Sequence, residues 1–93
     1  HTQYDAETRL LSCGGEWNLA SLTELQHFFE KIQWPTYGEI KISGKDVSVM
    51  DSAGAWLLNE WILKLQAKNV KVSLRDFSDK AATLIDLVRE RTK

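Results

Sequence analysis

Cysteine, proline and long apolar runs are scarce in this 93-residue chain: it has one Cys, one Pro and no stretch of about 18 consecutive apolar residues. Cys13 alone can close no intrachain disulfide and build no thiolate metal cluster, and a lone thiol fits a reducing cytosol. The lack of a long apolar run leaves no membrane span to expect, and no charged start leads into an apolar core as in a signal peptide. Neither sign of charge is in excess, with 12 Lys and Arg against 13 Asp and Glu for a formal net charge of -1. Nucleic-acid binding needs a basic excess on one face and is not expected. The spaced glycines and lysine of a nucleotide-binding loop are missing, and so is the G-x-S-x-G elbow of a serine hydrolase. Of the two histidines, His1 is terminal and His27 falls on the charged side of a helix, a poor pair for metal or acid–base chemistry.

What is present is the composition of an ordinary soluble globule, 43% hydrophobic and 27% charged. That suffices for a single domain, residues 1–93, folding without a metal or a cofactor. Leu10 and Leu11 within Glu7 to Cys13, the turn signal Gly14-Gly15, and Glu16-Trp17-Asn18-Leu19 predict an opening β-hairpin. Ser21-Leu22-Thr23-Glu24 reads as a capping box, and Leu22, Leu25, Phe28, Phe29 and Ile32 recur at helical spacing, so a first helix follows and ends at Trp34-Pro35. Glu39 to Ser43 alternates as a strand, Gly44-Lys45-Asp46 interrupts, and Val47 to Met50 resumes the alternation as an extended lead-in.

A second helix is predicted from Ser52 to about Lys68, with Ala55, Leu58, Ile62 and Leu65 on its inner stripe and Asn59, Glu60, Lys64 and Lys68 facing away. Asn69 is a left-handed stop, and Val70, Val72 and Leu74 then alternate as a further strand. Ser78 caps a last helix carrying Ala81, Leu84, Ile85 and Val88 inward, with Asp79 at its positive end and Arg89 and Arg91 at its negative end. A hairpin followed by βαβα units gives an α/β fold, a mixed sheet of about four strands with three main helices mostly on one side.

The strand Ile40-Lys41-Ile42, the lead-in Val47 to Met50, the loop Asp51-Ser52-Ala53-Gly54, the following Leu57-Leu58 and the later strand Lys68 to Leu74 resemble, in order and spacing, the STAS domains. These are small cytosolic βα modules of anti-sigma-factor antagonists and of membrane transporters. Gly15-Glu16-Trp17-Asn18-Leu19 and Asp51-Ser52-Ala53-Gly54-Ala55-Trp56-Leu57-Leu58 look most like the STAS domains in front of Mla-type lipid-transport permeases, with the separate STAS subunit of those systems a close second. The resemblance implies a STAS fold and a non-catalytic regulatory or assembly role in an ABC-type phospholipid transport system, at the cytoplasmic face of the bacterial inner membrane. It implies as partners the transporter's ATPase subunit and the permease membrane domain, without insertion of this domain into the bilayer. The missing initiator Met and the charged end Arg89-Glu90-Arg91-Thr92-Lys93 read as one domain taken from a longer permease chain. The alternative it offers is a partner-switching antagonist controlled by serine phosphorylation. In those antagonists the phosphorylated hydroxyl directly precedes Gly, where this chain has Ala53, so Ser52 is the hydroxyl left to take a phosphate.

Partner binding is thus expected at Asp51, Ser52, Ala53, Gly54 and Trp56, beside the plainer reading of Asp51 and Ser52 as a helix N-cap. Small Ala53 and Gly54 leave room for close approach, and Trp56, off the inner stripe, suits an interface anchor. Four tryptophans in so small a domain must partly fill its core, and Trp17 and Trp61 are assigned there. Trp34 and Tyr37 flank Pro35 in a loop and read as a plain apolar loop anchor, with a second apolar patch as the alternative. No catalytic or metal-ligating residue is expected.

Overall fold

The computed structural model describes residues 2–91. The chain runs through β1 (Gln3–Asp5), β2 (Leu10–Trp17), a 3-10 turn (Leu19–Ser21), α1 (Leu22–Lys31), β3 (Glu39–Met50), α2 (Ser52–Ala67), β4 (Lys71–Arg75) and α3 (Asp79–Arg91). The four strands form one mixed sheet in the order β1-β2-β3-β4, with β1 antiparallel to β2 and the other pairs parallel. The α/β class, the four strands and the three main helices agree with the sequence pattern. Among the described residues no helix is long and apolar enough to cross a membrane.

Period-two alternation sends one set of strand residues to the helices and the other set to the opposite face. Leu11 and Cys13 of β2, Ile42 of β3, Leu25 and Phe29 of α1, Ala55, Leu58 and Ile62 of α2, and Ala81 and Ile85 of α3 share one buried core. Ile40, Leu65 and Val70 continue it at one end. Trp17 is fully buried against Phe29, with ring centroids 5.7 Å apart. Trp61 is half-buried: it stacks on Trp34 at 5.7 Å, donates its indole N–H to Gln26 Oε1 at 3.3 Å, and carries the Lys64 ammonium over its ring at 4.4 Å. Trp34 belongs to this aromatic cluster and not to a loop patch with Tyr37. Its indole N–H donates to the Phe29 carbonyl, while Tyr37 stands exposed under the Arg9 guanidinium.

Three local expectations are corrected. The hairpin turn is not at Gly14-Gly15, which lie inside β2; it falls between Asp5 and Leu10. There the Asp5 carboxylate accepts the Glu7 and Thr8 N–H groups at 2.9 and 3.4 Å, and Arg9 takes the left-handed φ of 56°. Gly15 adopts φ 74° at a strand irregularity, a use of glycine that resembles a turn signal in the sequence. Likewise Gly44-Lys45-Asp46 is not a break. β2 advances five residues from Ser12 to Trp17 while β3 advances seven from Ser43 to Met50, and the surplus is taken up at two register shifts.

The capping box is the second correction, because Ser21 makes no side-chain cap bond. Asn18 does the work one turn earlier, accepting the Ser21 N–H at 3.1 Å and the Ser21 hydroxyl at 3.2 Å through Oδ1, and its 3-10 turn runs straight into α1. The third is Asn59, which is 1% exposed instead of facing away. The buried arc of α2 spans Gly54, Ala55, Leu57, Leu58, Asn59, Ile62 and Leu65, wider than one stripe, because the helix is packed against the sheet and against both neighbouring helices. Asn69 (φ 66°) ends α2 as expected, and Ser78 Oγ accepts the Ala81 N–H at 3.1 Å to start α3.

Candidate functional site

The polypeptide leaves β3 at Met50 and enters α2 at Ser52, so a single residue, Asp51, makes the junction. Its backbone is extended, φ -109° and ψ -175°, and its N–H donates to the Trp17 carbonyl at 3.1 Å, which prolongs the β2–β3 pairing by one rung. Its carboxylate then works in two directions. Oδ1 accepts the Gly54 N–H at 3.0 Å, capping α2, and Oδ2 accepts the Leu19 N–H at 3.2 Å, tying down the 3-10 turn. A carboxylate at a helix N-terminus is favoured by the helix dipole and by charge-assisted hydrogen bonds. Asp51 is therefore the N-cap, and Ser52 is the first helical residue.

The expected contact residues separate by exposure. Ser52 is exposed, and among the described residues its hydroxyl makes no hydrogen bond. Ala53 is half-buried. Gly54 is buried against the protein's own β2: a Cβ there would stand 2.6 Å from the Trp17 carbonyl carbon and 2.9 Å from its Cβ. Its smallness serves helix-to-strand packing inside the domain. Trp56 is 46% exposed and borders a shallow groove of about 250 Å³ between α1 and α2, lined also by Leu22, Gln26, His27 and Leu57.

Leu19 was not among the expected contacts, since the sequence placed it in a hairpin strand. It is 70% exposed beside the junction, its amide held by Asp51. The signal that could have found it is Asn18, a good cap residue followed by a Leu that belongs to no amphipathic stripe.

The ingredients of nucleophilic chemistry are not brought together. Among the described residues neither the Ser52 hydroxyl nor the His27 imidazole makes a hydrogen bond, so no base is joined to a nucleophile. Cys13 is buried in the core, and that burial pushes its thiol well above the ordinary range. No group of three or more His, Cys, Asp and Glu side chains is placed to hold a metal among the described residues. His1 lies outside them. What the junction offers is a rigid surface with a free hydroxyl, an aromatic ring and an aliphatic side chain. No family model and no curated protein matches the chain.

Proposed function

We propose that this domain is a STAS-like, non-catalytic regulatory or assembly module that docks through the Asp51–Trp56 segment and α2 onto the ATPase subunit of an ABC-type phospholipid transporter. It works next to the permease at the cytoplasmic face of a bacterial inner membrane. The observation that carries the reading is the half-exposed Trp56 next to the exposed Ser52, on a helix turn fixed by the Asp51 cap. A large ring held at a pre-ordered site beside a shallow apolar groove has the character of an interface anchor. The family and the transporter partner come from the resemblance of the Asp51-Ser52-Ala53-Gly54 loop and its flanking strand and helix.

The test is a calorimetric titration of the folded domain with the purified ATPase subunit of an ABC-type phospholipid transporter. Ser52→Arg and Trp56→Ala are expected to keep the far-UV circular dichroism spectrum and the unfolding midpoint while weakening binding at least about tenfold, a loss of roughly 1.4 kcal/mol. Unchanged affinity in both variants sinks the docking reading. The exposed Ser52 hydroxyl also favours a second reading, control by phosphorylation, since a phosphate there gains from the positive helix end and adds bulk and charge to the docking surface. An intact mass that stays unchanged after exposure to the cognate kinase removes it.

A further inference from the structure

Parallel strands are ordinarily covered on both faces. Here the helices share a core with one face of β2-β3-β4, and among the described residues no helix covers the other face. Strand register places Ser12, Ser43 and Arg75 in one row across that face and Leu10, Lys41 and Ser73 in the next. Diagonal neighbours on adjacent strands lie about 7–8 Å apart, so Lys41 and Arg75 stand within reach of one small ligand. Together with Ser12, Ser43 and Lys45 they line a depression of about 420 Å³.

Among the described residues the side chains of Lys41, Lys45 and Arg75 make no hydrogen bond and no ion pair. Asp46 and Asp76 also border the depression, and among the described residues neither is paired with a cation. Lys41, Lys45 and Arg75 bring three positive charges to a depression that holds two carboxylates, so positive charge is in excess there and an anion set among the cations is attracted. Two hydroxyls complete the donor set. Ser43 Oγ accepts the Lys45 backbone N–H at 3.3 Å, which leaves its own hydrogen to donate, and the Ser12 hydroxyl makes no hydrogen bond among the described residues. Ser73 is different, because its hydroxyl already donates to Glu39 at 2.7 Å.

We propose that the face of the sheet opposite the helices binds a phosphate-type oxyanion, free or as part of an ester, through Lys41, Lys45 and Arg75 with the Ser12 and Ser43 hydroxyls donating. The site shares no residue with the Asp51 junction and does not rest on the docking reading.

The experiment is a titration of the ¹⁵N-labelled domain with inorganic phosphate and with glycerol phosphate at about 150 mM salt, where exposed charges are screened beyond about 8 Å. Alongside it runs sedimentation with vesicles of phosphatidylcholine, with and without phosphatidylglycerol. Saturable amide shifts are expected at Ser12, Ser43 and Arg75. The folded double variants Lys41→Glu with Arg75→Glu, and Lys41→Gln with Arg75→Gln, are expected to weaken binding at least about tenfold. Lys64→Glu, over Trp61 in the aromatic cluster, leaves binding as it was. Saturable glycerol phosphate binding without sedimentation assigns the site to a soluble ester. Sedimentation with the anionic vesicles that the double variants lose assigns it to a lipid headgroup. Absence of both, or binding that persists undiminished in the folded double variants, overturns the proposal.

Discussion

Replacing Gly54 with Ala puts the packing of α2 on β2 to a direct test, because the expected sign is opposite to the usual one. In an ordinary helix interior Gly→Ala stabilises by about 1 kcal/mol. At Gly54 the new Cβ would run into the Trp17 carbonyl oxygen and lie 2.6 Å from the carbonyl carbon and 2.9 Å from the Trp17 Cβ, whereas unstrained carbon atoms keep about 3.5–4.0 Å. The obstruction is the backbone and Cβ of a fully buried strand residue, which no rotamer change can clear, so α2 has to shift by about 1 Å. Overpacking of this kind costs about 1–3 kcal/mol. The same shift strains the hydrogen bonds from Asp51 N–H to the Trp17 carbonyl and from Leu19 N–H to the Asp51 carboxylate, each contributing about 1 kcal/mol net. Set against the helix-propensity gain, about 2 kcal/mol of destabilisation remains. For a domain of this size that lowers Tm by about 8–16 °C. Urea denaturation followed by tryptophan fluorescence, with thermal melting by circular dichroism, measures it. An unchanged or raised midpoint refutes the packing argument and returns Gly54 to the role of clearance for a partner, in which case binding falls while stability does not.

The capping roles around α1 separate cleanly: Asn18→Ala is expected to cost about 1 kcal/mol and Ser21→Ala a few tenths, in the same denaturation assay, because Asn18 Oδ1 holds the Ser21 N–H and the Ser21 hydroxyl caps nothing. Equal costs count against this assignment. Cys13 is expected to resist an aromatic disulfide reagent at pH 8 until the protein is unfolded, since burial keeps the thiol protonated. The folded-state pKa is raised, so the corresponding stability is present below the ordinary thiol value of about 8.5 and falls as pH rises past it, by up to about 1.4 kcal/mol per pH unit. Cys13→Ala should remove that slope from a plot of denaturant midpoint against pH between 8 and 10, and a slope that survives the substitution points to another group.

The parts of the fold that were legible in the sequence are those where local preference and tertiary packing ask for the same thing. The stripe Ala55, Leu58, Ile62 and Leu65, the stop at Asn69, the strand carrying Val72 and Leu74 and the Ser78 cap all appear where the pattern put them, with Val70 lying just before the strand. The N-terminal third misled because glycine has two uses. Gly14-Gly15 reads as a turn, but the segment is held extended by β3 on one side, and its irregularity goes into the register shifts beside Gly15 instead of a reversal. β1 is only three residues long, too short for periodicity to reveal, so the expected count of four strands was reached with a different membership. Ser21 misled because the capping-box pattern assumes that the helix begins after an extended residue; a preceding 3-10 turn had already placed Ser21 in helical conformation. At the junction the sequence singles out Asp51 and Ser52 together and does not divide their roles. That division depends on the Leu19 and Trp17 backbones, contacts 32 and 34 positions away along the chain, in another element.

Variants around the Asp51 junction fall into two groups for a structural reason. One carboxylate holds the first turn of α2 and the 3-10 turn together, while the Asp51 backbone holds both to β2. Ser52, Trp56 and Leu19 are therefore carried on pre-ordered backbone, and on the proposed docking reading association has little ordering cost to meet there. If the domain docks there as proposed, Asp51→Ala and Gly54→Ala are expected to lower affinity by loosening the platform, whether or not either residue touches the partner. Ser52→Arg and Trp56→Ala alter the presented surface and leave the platform standing. A contact map drawn from binding losses alone would merge these two groups; measured beside the unfolding midpoint, it separates them. If all four variants lost stability and affinity in proportion, the exposed residues would have to be read as part of the scaffold, and the docking surface would have to be sought elsewhere on the domain.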